Sequence, residues 1–239
     1  MKESPTAAHQ RYRNKAGAIV PGVTTVIGLL AKPALVPWAW KLGMQGEDMN
    51  KVRDMAADIG TATHYMAECM FKGQVPDFQF TTPFVKACAE KMMPALKTYL
   101  AANPAETIAS EENLVSEKWQ YGGCVDWVCR PKLTGLVTLR DIKTSKGIYA
   151  EYLIQIGAYE VAWNEVHPDM PIQAKEAIHL DKETGMLTVH PFGDLSTEFE
   201  IFKHLRAIYV LQKKADPQRN KPQTNAFRKT GRLSQAVDK

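Results

Sequence analysis

The sequence has no stretch approaching the roughly 18 consecutive apolar residues that a membrane-crossing helix needs, and Met1-Lys2-Glu3-Ser4-Pro5 lacks the apolar run of a secretory signal. A soluble, cytoplasmic protein with no membrane partner is therefore expected. Cysteine is scarce: the four present are Cys69, Cys88, Cys124 and Cys129, with no C-x-x-C pair. That excludes a disulfide framework of the small secreted kind and makes reduced, buried thiols the expectation. Internal repeats are missing, as is any long low-complexity segment ahead of the basic C-terminus. For 239 residues of which 45% are hydrophobic, one domain with a substantial core is the simplest organisation.

The charge is unevenly placed. The net value is only +4, but residues 213–239 carry eight Lys or Arg against Asp216 and Asp238, a local +6. Residues 1–17 add four basic groups against Glu3, a local +3, which leaves the stretch 18–212 at −5. Basic ends around an acidic body suit a protein that grips nucleic-acid backbone with its tails while carboxylates in its body hold metal ions. The alternative for the ends is a pair of solvated, flexible segments. The expected division is a flexible basic N-terminus over 1–20, one domain over 21–213 and a flexible basic tail over 214–239.

Hydrophobic periodicity supplies the elements. After the Pro21-Gly22 turn, Val23 to Leu30 reads as a short helix, Pro33 and Pro37 break the pattern, and Trp38, Trp40 and Leu42 mark a second short helix ending at Gly43. Val52, Met55, Ala56, Ile59, Ala62, Met66, Cys69 and Met70 recur at helical spacing from about Asn50 to Phe71, and a further helix is expected from Pro83 to Ala102. The pattern then changes to a meander of three strands, Thr107–Val115, Tyr121–Cys129 and Leu136–Lys143. A helix over Ala150–Val166 follows, then strands over Ala174–Leu180 and Met186–His190 around a loop at Gly185, then a helix over Leu195–Lys213. The fold class is α/β (α+β), a central mixed sheet of about five strands flanked by helices.

Chemistry concentrates where the strands end. In Asp141-Ile142-Lys143 the period of two puts the acid and the amine on one sheet face. A carboxylate there can hold a hard cation, and a neighbouring ammonium can orient or help deprotonate an attacking water and offset phosphate charge. The competing reading is an exposed strand-end ion pair. Asp126, one strand earlier in Gly122-Gly123-Cys124-Val125-Asp126, lies within reach of the same cation if the strands are antiparallel neighbours. Alternatively the two glycines form a hairpin turn and Asp126 is solvated. Glu111 and Glu112 open the preceding strand; since adjacent residues face opposite sides, only one can point into a site, and parity does not choose between them. His64 stands late in the long helix, in Gly60-Thr61-Ala62-Thr63-His64, and Gln155 and Tyr159 share a helical stripe with Tyr152.

Taken in order, these residues resemble the RecB-like branch of the PD-(D/E)xK nuclease superfamily: G-x-x-x-H on a helix, an acidic residue on a strand, G-x-x-D, D-x-K-T, then Q-x-x-x-Y on a helix. Here the series is Gly60 to His64, Glu111 or Glu112, Gly123 to Asp126, Asp141 to Thr144, and Gln155 to Tyr159. Pro21-Gly22-Val23-Thr24-Thr25 also resembles that branch's N-terminal P-S-V-T-T, with Gly22 where Ser is common. The resemblance implies a restriction-endonuclease-like core. It implies that His64, Asp126 and Asp141, with the Ile142 carbonyl, hold Mg²⁺ or Mn²⁺, and that Lys143 is the catalytic lysine, with Glu111 or Glu112, Gln155 and Tyr159 completing the catalytic set. Thr24, Thr25, Thr144, Ser145, Lys146 and Tyr152 would line the nucleic-acid path. The implied reaction is in-line hydrolysis of a phosphodiester, leaving a 5′-phosphate and a 3′-hydroxyl.

Some relatives hold an iron–sulfur cluster with C-terminal cysteines; no cysteine follows Cys129 here, so no such cluster is expected. The implied protein is a free-standing, phage-type exonuclease acting on DNA in replication, recombination or repair, with a recombination or single-strand-binding protein as a further partner. Two other outcomes fit the same fold: a structure-selective endonuclease, and a catalytically silent DNA-binding or assembly protein.

Overall fold

The structure, a computed structural model, describes residues 11–215. Residues 1–10 and 216–239, the outer parts of the two basic ends, lie outside the described residues. Residues 11–20 correct the expectation of a flexible N-terminus. Tyr12–Arg13 (β1) pairs antiparallel with Ile19–Val20 (β2) around Gly17 at φ +78°. The hairpin is held down because Gly122 lacks a side chain: a Cβ there would lie 2.2 Å from Cγ of Tyr12, so the tyrosine ring occupies that space.

Val23–Ile27 (α1) buries Val23, Val26 and Ile27. Leu35–Met44 (α2) begins earlier than expected and contains Pro37. The proline sits in the first turn, where backbone N–H groups have no intrahelical acceptor and its missing donor costs nothing. Met49–Phe71 (α3) starts at Asp48, whose carboxylate accepts from the Asn50 amide at 2.8 Å, and Pro83–Ala102 (α4) starts at Thr82, whose hydroxyl accepts from Val85. Both helices bury their apolar stripes against each other and the sheet.

The sheet is five-stranded in the order β3-β4-β5-β6-β7, formed by Ala105–Ser116, Tyr121–Pro131, Thr138–Lys143, Ala174–Leu180 and Leu187–Phe192. The first three strands form the antiparallel meander, with its turn at 117–120, so Gly122 and Gly123 lie within β4 and are not the turn. Between β5 and β6 the chain crosses over as Ala150–Val166 (α5), which makes that pair parallel; β7 returns antiparallel. Ser196–Ala215 (α6) follows, two residues beyond the expected domain boundary. Helices cover both faces: α1, α5 and α6 pack on one core with Val125, Val128 and Leu139, and α3 and α4 on the other with Trp127, Cys129 and Ile142. All four cysteines are free, Cys69 and Cys129 buried. Among the described residues no helix is long and apolar enough to cross a membrane.

Two irregularities position the site. Cα pairing of β4 with β5 stops at Trp127 and Arg140, whereas β5 continues beside β6 to the pair Lys143 and His179. The two strands therefore part at Asp126 and Asp141. The side that β5 vacates is taken further along by Pro21, whose carbonyl accepts from the Gly122 amide at 3.0 Å. Second, the alternation of β4 slips: Val125 faces one core and Trp127 the other although they are two apart. Opposite the slip, Glu111 takes φ +51°, a left-handed backbone rare for a residue with a side chain. Such bulge-like slips re-aim side chains, and here the residue re-aimed is Asp126.

Candidate active site

Five elements converge on the fork. His64 comes from α3, one turn after Gly60, which lies beside the end of β5: a Cβ there would make an ordinary contact with Oγ1 of Thr144 at 3.6 Å. Nδ1 of His64 lies 3.4 Å from Oδ1 of Asp126 and 3.8 Å from Oε1 of Glu111. Ligand atoms of these three residues all fall within 4.8 Å of one another, a group that could hold a metal ion. The second oxygen of Asp126 accepts from the Ile142 amide at 2.6 Å. A side chain thus takes the place of the ladder partner lost where β4 and β5 part.

On the other side of the fork, Nζ of Lys143 lies 2.6 Å from Oδ2 of Asp141, donates to Oε1 of Gln155 at 3.1 Å and sits 4.6 Å above the Tyr152 ring. Gln155 in turn donates to the Tyr159 hydroxyl at 2.9 Å. The α5 stripe read from the sequence is therefore a relay that fixes the ammonium. Gly123 makes room for it: a Cβ there would be 2.5 Å from Cε1 of Tyr159.

Of the ligand set implied by the resemblance, His64 and Asp126 come together, but Asp141 is not part of the 4.8 Å group; Glu111 is. The open choice between the two glutamates is resolved by geometry. Glu112 faces the opposite way, with Oε1 2.7 Å from Nε2 of His167 at the end of α5, so placing it in the site is corrected. Ile142 gives its amide to Asp126 while its side chain is buried in the core. Thr144 is beside Gly60, and Ser145 turns its hydroxyl to the Gly147 carbonyl at 2.7 Å. Lys146 is exposed and 3.6 Å from Glu183, and Thr24 and Thr25 are exposed on α1; these three are not joined to the cluster by hydrogen bonds.

Two neighbours were not singled out from the sequence. The Cys124 thiol donates to Oε2 of Glu111 at 3.4 Å, and its place two residues before Asp126 on β4 is the signal that could have found it. Tyr12 reaches the cluster from the N-terminal hairpin. Burial, with Cys124 and Glu111 nearby, pushes its hydroxyl up to about 12. A two-residue strand carries no periodicity that could have signalled it.

The electrostatics separate the two aspartates. Burial acts to raise Asp126, but His64, Lys143 and the Ile142 amide together hold it below the ordinary carboxylate value. Asp141, 1% exposed, is raised to about 6, chiefly by burial and by the charge of Asp126, against the pull of Lys143. Its Oδ1 has no hydrogen-bond partner. Burial opposes the charged form of His64, yet Asp126 and Glu111 raise it to about 10, so a proton occupies the position a metal cation would take. Lys143 is likewise raised by Asp141 and Asp126 in spite of burial.

An orphaned buried carboxylate oxygen, two further carboxylates and an imidazole match the donors a divalent cation requires.

No protein-family model and no curated protein matches the sequence. Among solved structures, the chain is similar to an exonuclease candidate from Eubacterium rectale, at 12% identity over 67% of this chain and 68% of that one, with a TM-score of 0.45. It is also similar to the alkaline exonuclease LHK-Exo from Laribacter hongkongensis (16% identity, 68% and 91% covered, TM-score 0.36) and to LHK-Exo in complex with dAMP (17%, 69% and 92%, 0.32). At these identities and scores the likeness assigns no activity to this chain.

Proposed function

We propose that the protein is a metal-dependent nuclease that hydrolyses phosphodiester bonds in DNA, acting from ends as an exonuclease. The observation that carries this reading is the fork itself: His64, Glu111 and Asp126 grouped within 4.8 Å, beside a buried Asp141 whose ammonium partner, Lys143, stands 2.6 Å away. A bound Mg²⁺ or Mn²⁺ would supply Lewis acidity toward the phosphoryl oxygens and a nucleophile at neutral pH.

The protein's own groups do the rest. Glu111 and Asp126 present oxygens on one side of the fork, and Asp141 an oxygen with no other donor on the second. Because Lys143 is held protonated by two carboxylates, it acts in this arrangement as a hydrogen-bond donor and positive charge, offsetting the charge that builds on the phosphoryl group. Gln155 and the Tyr152 ring hold that ammonium in place. The ordered motif series and the basic ends support nucleic acid as the substrate.

Digestion decides it. Purified protein with Mg²⁺ or Mn²⁺ is expected to degrade linear DNA and spare closed circles, and Lys143→Ala to lower the rate by about 100-fold or more while still binding DNA. Equal cutting of closed circles would replace the exonuclease with a structure-selective endonuclease. Undiminished cutting by Lys143→Ala would mean that the activity is not this protein's.

A further inference from the structure

A second charged feature lies away from the fork, where the β3–β4 turn meets α6. Residues 117–120 form the turn, with Gln120 at φ +55°, and Trp119 projects from it edge-on to Phe199 at 5.6 Å. Two ammonium groups converge on that one indole, Lys118 at 5.2 Å and Lys203 at 5.0 Å from the ring centre. Arg206 adds a third cation, its Nε donating to the Gln120 carbonyl at 3.1 Å. These groups line an open cavity of about 270 Å³ whose lining contains no carboxylate.

Acids stand around this cleft but outside its lining. Glu200 pairs with Lys203 from outside the lining. Glu165 accepts from the Lys118 amide and the Ser116 hydroxyl, and Glu117 from the Lys15 amide at 2.7 Å. Among the described residues neither Lys118 nor Arg206 forms an ion pair, and partial burial of the Arg206 guanidinium goes uncompensated. Cations gathered around one aromatic ring repel each other, and an anion seated between them relieves the repulsion. With both lysines on the indole, the cleft suits a phosphate rather than a stacked base.

The cleft is tied to the fork. Asn14 donates to Oε1 of Gln120 at 2.7 Å, while Tyr12, two residues earlier on the same hairpin, lies on Gly122 beside Glu111 and Cys124. Gln120, at the end of the turn, and Asp126 on β4 are six residues apart, about 20 Å of extended chain, or about six nucleotides at the duplex rise of about 3.4 Å per phosphate.

We propose that Lys118, Lys203 and Arg206 form a second phosphate-binding site, which takes the backbone of the DNA about six nucleotides from the position held in the fork. This rests on the nuclease reading for the identity of the ligand, but its test is independent of cleavage. Binding of the full-length protein to a duplex of about 20 base pairs is measured in chelator across a salt series. Two lost phosphate contacts lower the salt slope by about 1.8. Between about 50 and about 200 mM salt, the Lys118→Gln/Arg206→Gln double variant should therefore lose about tenfold less affinity than the parent.

Lys118→Glu, a change on an exposed turn, should weaken binding with thermal unfolding unchanged. Hydrolysis of bis(p-nitrophenyl) phosphate, too small to reach the cleft, should be unaffected by either variant. An unchanged salt slope in folded variants, or a parent that binds no DNA, overturns the proposal. A reduced slope in a protein that cuts nothing would leave the second site standing and remove the nuclease reading.

Discussion

Asp141 is the residue at which stability and chemistry pull apart. Its carboxyl is raised from its ordinary range to about 6, so folding favours the protonated form. That contribution is present in acid and lost as pH rises from about 4 through about 6, leaving a penalty of roughly 3 kcal/mol at neutral pH in metal-free protein. Asp141→Asn keeps the shape and removes the charge. In chelator at pH 7.5 it is expected to unfold at a higher temperature than the parent, the gap should shrink to roughly 1 kcal/mol at pH 4.5, and with metal restored the variant should not cleave. A variant less stable than the parent at pH 7.5 would show that the Lys143 contact outweighs the desolvation of the carboxylate.

At the scale of elements, Gly123 joins β4 to α5. A Cβ at 2.5 Å from Tyr159 and 3.3 Å from Val23 must push a buried ring away from Gln155, so Gly123→Ala is expected to cost about 1–3 kcal/mol of stability. Because the ring steadies Gln155 and through it Lys143, cleavage should fall further than unfolding alone explains, as parallel melting and rate measurements would show.

The elements that meet here were legible in the sequence, because α3, α4, α5 and the strands are long enough for their periods to show, and the Asp141–Lys143 parity needs only one regular strand. Less was legible where regularity fails. Glu111 and Glu112 could not be separated, because the left-handed Glu111 and the slip between Val125 and Trp127 break the alternation that parity relies on. Pro37 hid the first turn of α2. The β1–β2 hairpin owes its order to a socket at Gly122, more than a hundred residues away in sequence.

For the whole molecule, the candidate centre draws on α3, β3, β4, β5 and α5, so it exists only in the folded chain. A cation that binds there must stabilise the fold by mass action, by about 2.7 kcal/mol at a hundred times its dissociation constant. Mn²⁺ is expected to raise the melting temperature of the parent. Asp126→Asn should abolish that rise, and an undiminished rise would place the ion elsewhere.

The amide of Ile142 gives this centre a reporter of its own. An amide bonded within a strand ladder opens to solvent only when two strands separate, but this proton is covered by one carboxylate, that of Asp126. Its hydrogen exchange is thus governed by the rotation and occupancy of a single side chain. A slowing of exchange at that amide when metal is added registers the filling of the centre with no substrate and no turnover.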